Sequence, residues 1–363
     1  MNKFLSKKYA LLGKTVEKSN DFTVNLKKVV LNPIVHFVLF LIIACVVGNL
    51  SVNKVLPYSF QSAFSITFAY SIASVGFCLL MGYSGLASLG TGGFIGIGTY
   101  SVYYIMNQSG LSFWTAILVA LAVAAVIGVI VGFISLRIEG IYLVILTLGL
   151  SEILRNIYMV VEDRIRISNF TIFGDVIIKR QHSIYIVATM LVIVMIITHN
   201  IINSPTGRAM MAMKNSTAAA QAMGISILKY RLMAFVICTM YASLSGVMLM
   251  ITMRSAMASD GTGFYALITS LNILAAVIIG GFKSIWGAVF GSFVMYGMQS
   301  TVFNRVQFLA ENPVIITFVS GILVILVVMF YPGGLAQLLV ELKFKLKKLG
   351  TKLKEAKYGK DLG

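Results

Sequence analysis

Residues 113–135, FWTAILVALAVAAVIGVIVGFIS, run long enough to cross a bilayer without one charged side chain. A stretch of about 18 or more apolar residues can span the hydrocarbon core as a helix, which satisfies its own backbone hydrogen bonds there. The chain repeats this pattern near 33–50, 60–81, 86–106, 112–135, 141–160, 184–203, 231–253, 266–281, 285–302 and 313–331. Composition agrees. Only 11% of the 363 residues are charged, against roughly a quarter in soluble domains, and mean hydropathy is +0.92. The expected fold class is all-α, a polytopic transmembrane helical bundle of about ten spans.

Charge sets the orientation. The net charge is +17, and much of it sits at the two ends. Lys3, Lys7, Lys8, Lys14, Lys18, Lys27 and Lys28 precede the first span, and a run from Lys343 to Lys360 follows the last. Lysine-rich flanks mark the cytoplasmic side, so both termini are expected there. Such flanks also attract anionic membrane lipids, at roughly 1 kcal/mol per lysine, and nucleic acid is not an expected partner. The chain divides into a basic cytoplasmic segment 1–32, a membrane domain 33–335 and a lysine-rich tail 336–363. Ten crossings place Arg137, the 204–230 loop and Lys283 inside. They place 162–181, the segment after Arg254, and Arg305 outside. Eight or nine crossings fit if the glycine-rich 86–106 and 266–302 are re-entrant or broken.

Those glycines form two groups. GYSGLASLGTGGFIGIGTY (82–100) holds Ser88, Gly90, Thr91, Gly92 and Gly93, and IIGGFKSIWGAVFGS (278–292) holds Gly280 and Gly281. Small residues let membrane helices pack closely, and they also permit broken helices that line a pathway. These seven residues are the candidate pathway or packing positions. The two Gly-Gly-Phe triplets raise the question of an internal repeat.

Little else in the chain carries chemistry. LLGKT (11–15) has Lys8 where a phosphate-binding loop needs glycine. His36, His182 and His199 lack partners at metal-ligand spacing, and no metal site or catalytic set is expected. Cys45, Cys78 and Cys238 read as small buried hydrophobes. Glu152 and Arg155, in LGLSEILRNIY, are spaced to pair on one helix face. A proton-driven carrier usually buries several acids or histidines, and this chain offers at most one.

The loop SPTGRAMMAMKNSTAAAQAMGISILKY (204–230) is basic and contains no acid. Pro205 and Gly207 mark the turn out of the preceding span. Asn215 or Ser216 can cap a short helix, which Gly224 can close in the left-handed conformation. Lys229 and Arg231 anchor the start of the next span. A short capped helix with an Ala/Met surface suits either docking into a partner's groove or lying along the lipid.

The loop resembles that of ABC-transporter permeases of the branched-chain amino-acid (LivH/LivM) type, and most of all the LivM-like branch. Its matches are Gly207, Arg208, Ala209, Ala219, Ala220, Ala222, Met223, Gly224, Ile225, Tyr230, Ala234 and Phe235. The glycine-rich 82–100, LRIEGIYLVILTLGLSEILR (136–155), IIGGFKSIWGAVFG (278–291) and FYPGGL (330–335) are also similar to that family's motifs, in order along most of the chain. The family often carries acids and arginine where this chain has Asn215, Thr217 and Gln221, and a histidine where it has Thr91.

The resemblance implies the membrane-spanning permease subunit of an ATP-driven importer of branched-chain or hydrophobic amino acids, in the bacterial plasma (inner) membrane. Its implied partners are a sister permease, two cytoplasmic ABC ATPases and an extracytoplasmic substrate-binding protein. ATP and Mg would be bound by the ATPases, with no cofactor in this chain. The loop then becomes the coupling site, with Arg208, Asn215, Ser216, Ala219, Ala220, Met223 and Gly224. Arg164, Arg166, Arg254 and Arg305 become candidates for meeting acids on the binding protein. The alternatives are a permease for another small solute (urea, amide, nucleoside or sugar) and a stand-alone secondary transporter.

Overall fold

The computed structural model describes residues 33–53, 57–135, 140–167, 170–171, 180–259 and 263–301, with scattered helical positions between 315 and 337. The lysine-rich ends, Arg137 and Arg305 lie outside the described residues. The helices are α1 (Pro33–Val52), α2 (Tyr58–Phe77), α3 (Thr91–Tyr103), α4 (Phe113–Ser135), α5 (Ile141–Glu162), α6 (Ser183–Asn203), α7 (Pro205–Asn215), α8 (Thr217–Ala222), α9 (Ile227–Met253), α10 (Leu267–Gly280) and α11 (Ile285–Ser292). Three helices continue in a wider π-helical turn: α2 through Cys78–Ser84, α3 through Tyr104–Gln108, and α11 through Phe293–Gly297. Residues 164–166 (β1) and 255–257 (β2) pair antiparallel, Ile165 opposite Ala256. This two-stranded ribbon is the one sheet among the described residues, and its three-residue strands are too short to carry a period-2 signal.

Among the described residues, six helical stretches are long and apolar enough to cross a membrane: Pro33–Leu50, Phe60–Ser84, Phe113–Ser135, Ile141–Glu162, Arg180–Asn203 and Ile227–Met253. The glycine-rich segments are different. Instead of a helix from 86, the chain runs irregularly through Leu86–Gly90 and becomes helical at Thr91. At 14 residues, α10 is about 21 Å long at 1.5 Å per residue, short of the roughly 30 Å hydrocarbon core. The expected span at 313–331 is described only at scattered positions, all helical.

At the centre of the bundle are α2, α3 and α9. The spanning windows of α2 and α9 are each 83% buried, against 17% for α1 and for α5. Glycine lets these central helices touch backbone to backbone. A Cβ on Gly98 of α3 would lie 1.9 Å from the Ser243 carbonyl oxygen of α9, and one on Gly246 of α9 would lie 2.0 Å from that of Ile95. Hydroxyls bind the same surfaces: Ser243 Oγ donates to the Ala120 carbonyl on α4 (3.1 Å), and Ser292 Oγ to Ser74 Oγ (2.8 Å). The lipid-facing surface of α4, including Leu118, Val126 and Ile130, is aliphatic.

Gly98→Val should therefore cost more than the roughly 1–3 kcal/mol of ordinary overpacking, because backbone must move. Thermal unfolding of the detergent-purified chain is expected to show a large loss of stability, while Val126→Ala, in open surface, stays near the parent. An unchanged midpoint for Gly98→Val would contradict the close approach.

Candidate functional site

The loop after α6 folds as two helices. Its first part was expected to be only a turn, and the structure corrects this. Ser204 is an N-cap whose Oγ accepts the Gly207 N–H (3.4 Å), and Pro205 sits in the first helical turn, where its missing donor costs nothing. The Ser-Pro pair was the sequence signal for α7. Asn215 consequently ends α7, and Ser216 alone caps α8, accepting the Ala219 N–H at 3.3 Å. At the other end Gly224 takes φ +78°, its N–H donates to Gln221 O (2.9 Å) and the Ile225 N–H donates to Ala220 O (3.0 Å). These two bonds are the paired closure of a left-handed helix end.

The loop's side chains split by face. Met210, Met213 and Ala220 are buried against the bundle, whereas Met223 is 80% exposed. Asn215, Ser216, Ala219 and Gly224 are exposed as well. Arg208 is exposed and donates from Nη1 to Asn203 O (3.3 Å). The seven residues expected to form the coupling site thus share one two-helix element, anchored by buried Met210 and Met213, with all but Ala220 exposed.

The second group surrounds the start of α3. Its backbone donors are satisfied by hydroxyls from other helices: Leu89 N–H by Thr147 Oγ1 (3.0 Å), Gly92 N–H by Ser270 Oγ (2.8 Å) and Gly93 N–H by Ser151 Oγ (2.9 Å). Ser88 Oγ accepts the Gly90 N–H (3.2 Å). Thr91 is buried, and its hydroxyl has no hydrogen-bond partner among the described residues. Gly280 lies against the Gly287 carbonyl across the α10–α11 turn, and Gly281 donates back to Val277 O. Ser270 and Gly280 stand ten residues apart on α10, roughly 15 Å. The start of α3 and the Gly280–Gly281 turn are therefore separate points along α10. The Gly-Gly-Phe triplets sit at opposite helix ends, 92–94 opening α3 and 280–282 closing α10, so they are not a structural repeat.

At the opposite end from the α7–α8 loop, Arg164 and Arg166 on β1 and Arg254 after α9 line one surface pocket of about 830 Å³. Arg180, which the sequence reading did not single out, joins them, with Met257 and Phe264 among the other lining residues. No acid lines it. Arg180 Nε donates to Thr252 O (2.9 Å), and the Arg254 guanidinium lies 5.2 Å from the Phe170 ring centre. Arg254 also closes α9 in the left-handed conformation, at φ +66°. Only three-dimensional pairing of β1 with β2 brings these distant arginines together, so sequence spacing gave no sign of Arg180. The expected pair is present too: Arg155 Nη1 meets Glu152 Oε1 at 2.8 Å, and Arg155 Nε also donates to Ala258 O (3.0 Å). Among the described residues no group of three or more His, Cys, Asp or Glu could hold a metal ion.

The family model for the branched-chain amino acid transport system permease component matches residues 59–328. The chain belongs to this family. It is a permease component, a transport protein rather than an enzyme, and a multi-pass inner-membrane protein. The match spans the α7–α8 loop, both glycine groups and the arginine pocket. Among curated relatives, the permease is 27% identical over 312 residues to the high-affinity branched-chain amino acid transport system permease protein LivM of Escherichia coli (strain K12). It is 28% identical to the protein of the same name from Salmonella typhimurium (strain LT2). Each alignment covers 77% of this chain and 71% of the relative. No solved structure matches the permease.

Removing the α8 cap should loosen this helix selectively. Ser216→Ala is expected to cost about 1 kcal/mol, read as faster amide hydrogen exchange over 217–223, and Ser216→Asp should restore protection. Equal exchange in parent and Ser216→Ala would show that the cap does not hold the helix.

Proposed function

We propose that this permease translocates branched-chain amino acids as one of two different membrane subunits, driven by two cytoplasmic ATPases and supplied by an extracytoplasmic binding protein. The observation that carries the reading is the α7–α8 element: a doubly closed short helix, held on buried Met210 and Met213, with an exposed small-residue surface. A helix that presents Ala219 and Met223 while its flanks are pinned fits a groove in another protein. ATP and Mg belong to that partner. The loop's basic residues and lack of acids support a cytoplasmic position for the element.

Two further surfaces support the assembly. The mid-span surfaces of α1 and α4 are aliphatic, but that of α5 carries Gly149, Asn156 and a Glu152 side chain 45% exposed. A carboxylate facing lipid at mid-span costs about 2.5–3.5 kcal/mol or more, and such groups normally face protein or water. A second permease covering α5 removes that cost. At the other end, the pocket of Arg164, Arg166, Arg180 and Arg254, lined by no acid among the described residues, suits carboxylates on a docked binding protein, where paired charges speed association.

The test is ATP-driven uptake of radiolabelled leucine, isoleucine and valine in proteoliposomes holding the complete co-expressed transporter. Uptake should require the ATPases and the binding protein, and the purified complex should contain a second permease chain. Ion-driven uptake by this chain alone would overturn the proposal, and transport of urea or a sugar in preference would overturn its substrate. In the same system Arg164→Glu with Arg166→Glu should raise the half-saturating concentration of binding protein about tenfold or more at low salt and less at high salt. An unchanged value would remove the pocket from docking.

A further inference from the structure

Lys214, in the α7–α8 loop, turns into the bundle and bonds to another helix. Its Nζ donates to the carbonyls of Gly82 (2.7 Å) and Met81 (3.1 Å) in the π-helical turn that ends α2. The last backbone bonds of that turn, from the Gly85 and Leu86 N–H groups, go to Leu80 O. The ammonium thus caps carbonyls that the helix leaves over, at the end of the helix where a cation is favoured. Gly85, at φ +75°, lets the chain turn away directly under the Lys214 side chain, and a Cβ there would meet Lys214 Cγ at 3.1 Å.

The same ammonium lies 4.8 Å from the ring centre of Phe282, in the turn between α10 and α11. That turn is itself fixed to the π-helical end of α2: Cys78 Sγ donates to Phe282 O (3.2 Å), and Tyr83 OH donates to Lys283 O (2.9 Å). A Cβ on Gly82 would lie 1.8 Å from Phe282 O, so the two backbones are in direct contact. One side chain therefore joins three elements: α7, the end of the central helix α2, and the α10–α11 hairpin. It does so two residues before the Ser216 cap that opens the exposed helix α8. Burial first, and then the nearby charge of Lys283, lower the Lys214 pKa. The two carbonyls and the aromatic ring are what compensate a charge held there. A π-helical turn has fewer well-matched bonds than an α-helical one and marks places where helices change shape.

We propose that Lys214 is the positioning residue that transmits displacement of the α7–α8 element to the π-helical end of α2 and to the α10–α11 hairpin. This rests on the reading of α7–α8 as the ATPase-docking element. It adds the route by which docking moves the membrane helices. Lys214 touches no substrate, and its loss should uncouple the machine rather than dismantle it.

The test uses the complete transporter in proteoliposomes with Lys214→Met, Lys214→Arg and, as a control, Lys229→Met on the exposed side of the loop. Lys214→Met is expected to keep the ATPases bound and basal ATP hydrolysis near the parent value. Substrate moved per ATP should fall about tenfold or more. Lys214→Arg should recover most of the coupling, because it can still donate to both carbonyls, and Lys229→Met should behave as the parent. Unchanged transport per ATP in Lys214→Met would overturn the proposal. So would loss of ATPase binding in parallel with transport, which would make Lys214 a docking or folding residue. A measurement on the unaltered complex decides the matter if the variant does not fold. Adding a non-hydrolysable ATP analogue should change amide exchange over 216–224 and over 81–86 together, and a change confined to 216–224 would also overturn the proposal. If no ATPase associates with the unaltered chain, it is the docking reading that fails.

Discussion

A helix that starts inside a membrane must find partners for its first N–H groups, and the way α3 does so governs the arrangement around it. Water is not available there, and an unpaired buried donor costs about 1–3 kcal/mol. The chain supplies three hydroxyls from two other helices: Thr147 and Ser151 on α5, and Ser270 on α10. Each fixes its helix to within hydrogen-bond distance of α3, so the break at Leu86–Gly90 also sets where α5 and α10 pack. Glycine makes the approach feasible. Gly93 touches Ser151 and Leu154, and Gly96 receives the Tyr158 ring, whose hydroxyl returns to Gly93 O at 2.9 Å.

This dependence explains what the sequence could and could not reveal. The six full-length spans are legible because each is a single long apolar run, a property local to its own residues. Of the group expected inside, the 204–230 loop and Lys283 lie at one end of the bundle, brought together by Lys214 and Tyr83, and Arg137 lies outside the described residues. The close of α8 was legible down to Ser216 and Gly224, because capping is chemistry over a few consecutive residues. The start at Thr91 was not. Its caps come from residues 58 and 178 positions away, and no local pattern announces a donor satisfied at that distance.

The same distinction separates the candidate residues. Ser88, Gly90, Gly92, Gly93, Gly280 and Gly281 were marked by composition, which cannot tell a packing glycine from a pathway glycine. A Cβ on Gly92 would meet the Ala266 and Tyr265 carbonyls and Ser270 Oγ, one on Gly93 the Leu154 side chain and Ser151, and one on Gly280 the Gly287 carbonyl, so close packing accounts for glycine at these three positions. The arginines show the reverse case. Arg164, Arg166 and Arg254 looked like scattered loop charges until the β1–β2 pairing joined them with Arg180 around one pocket.

The two ends of the bundle are held by different kinds of bond, and that difference bears on which can move. At the arginine end the linkers are sewn to one another through backbone atoms. Ile167 N–H bonds Arg254 O, Ala258 N–H bonds Asp163 O, and the Asp163 carboxylate takes both the N–H and the hydroxyl of Ser259. Breaking such a network means unpairing several groups at once. At the other end α7 reaches the helices beside it through side chains: methionines, which repack readily, and the ammonium of Lys214. A contact made by flexible side chains can slide without stranding a buried backbone donor. This is the arrangement that the proposed docking of α7–α8 requires: side-chain contacts at one end, and a backbone-bonded arginine end opposite.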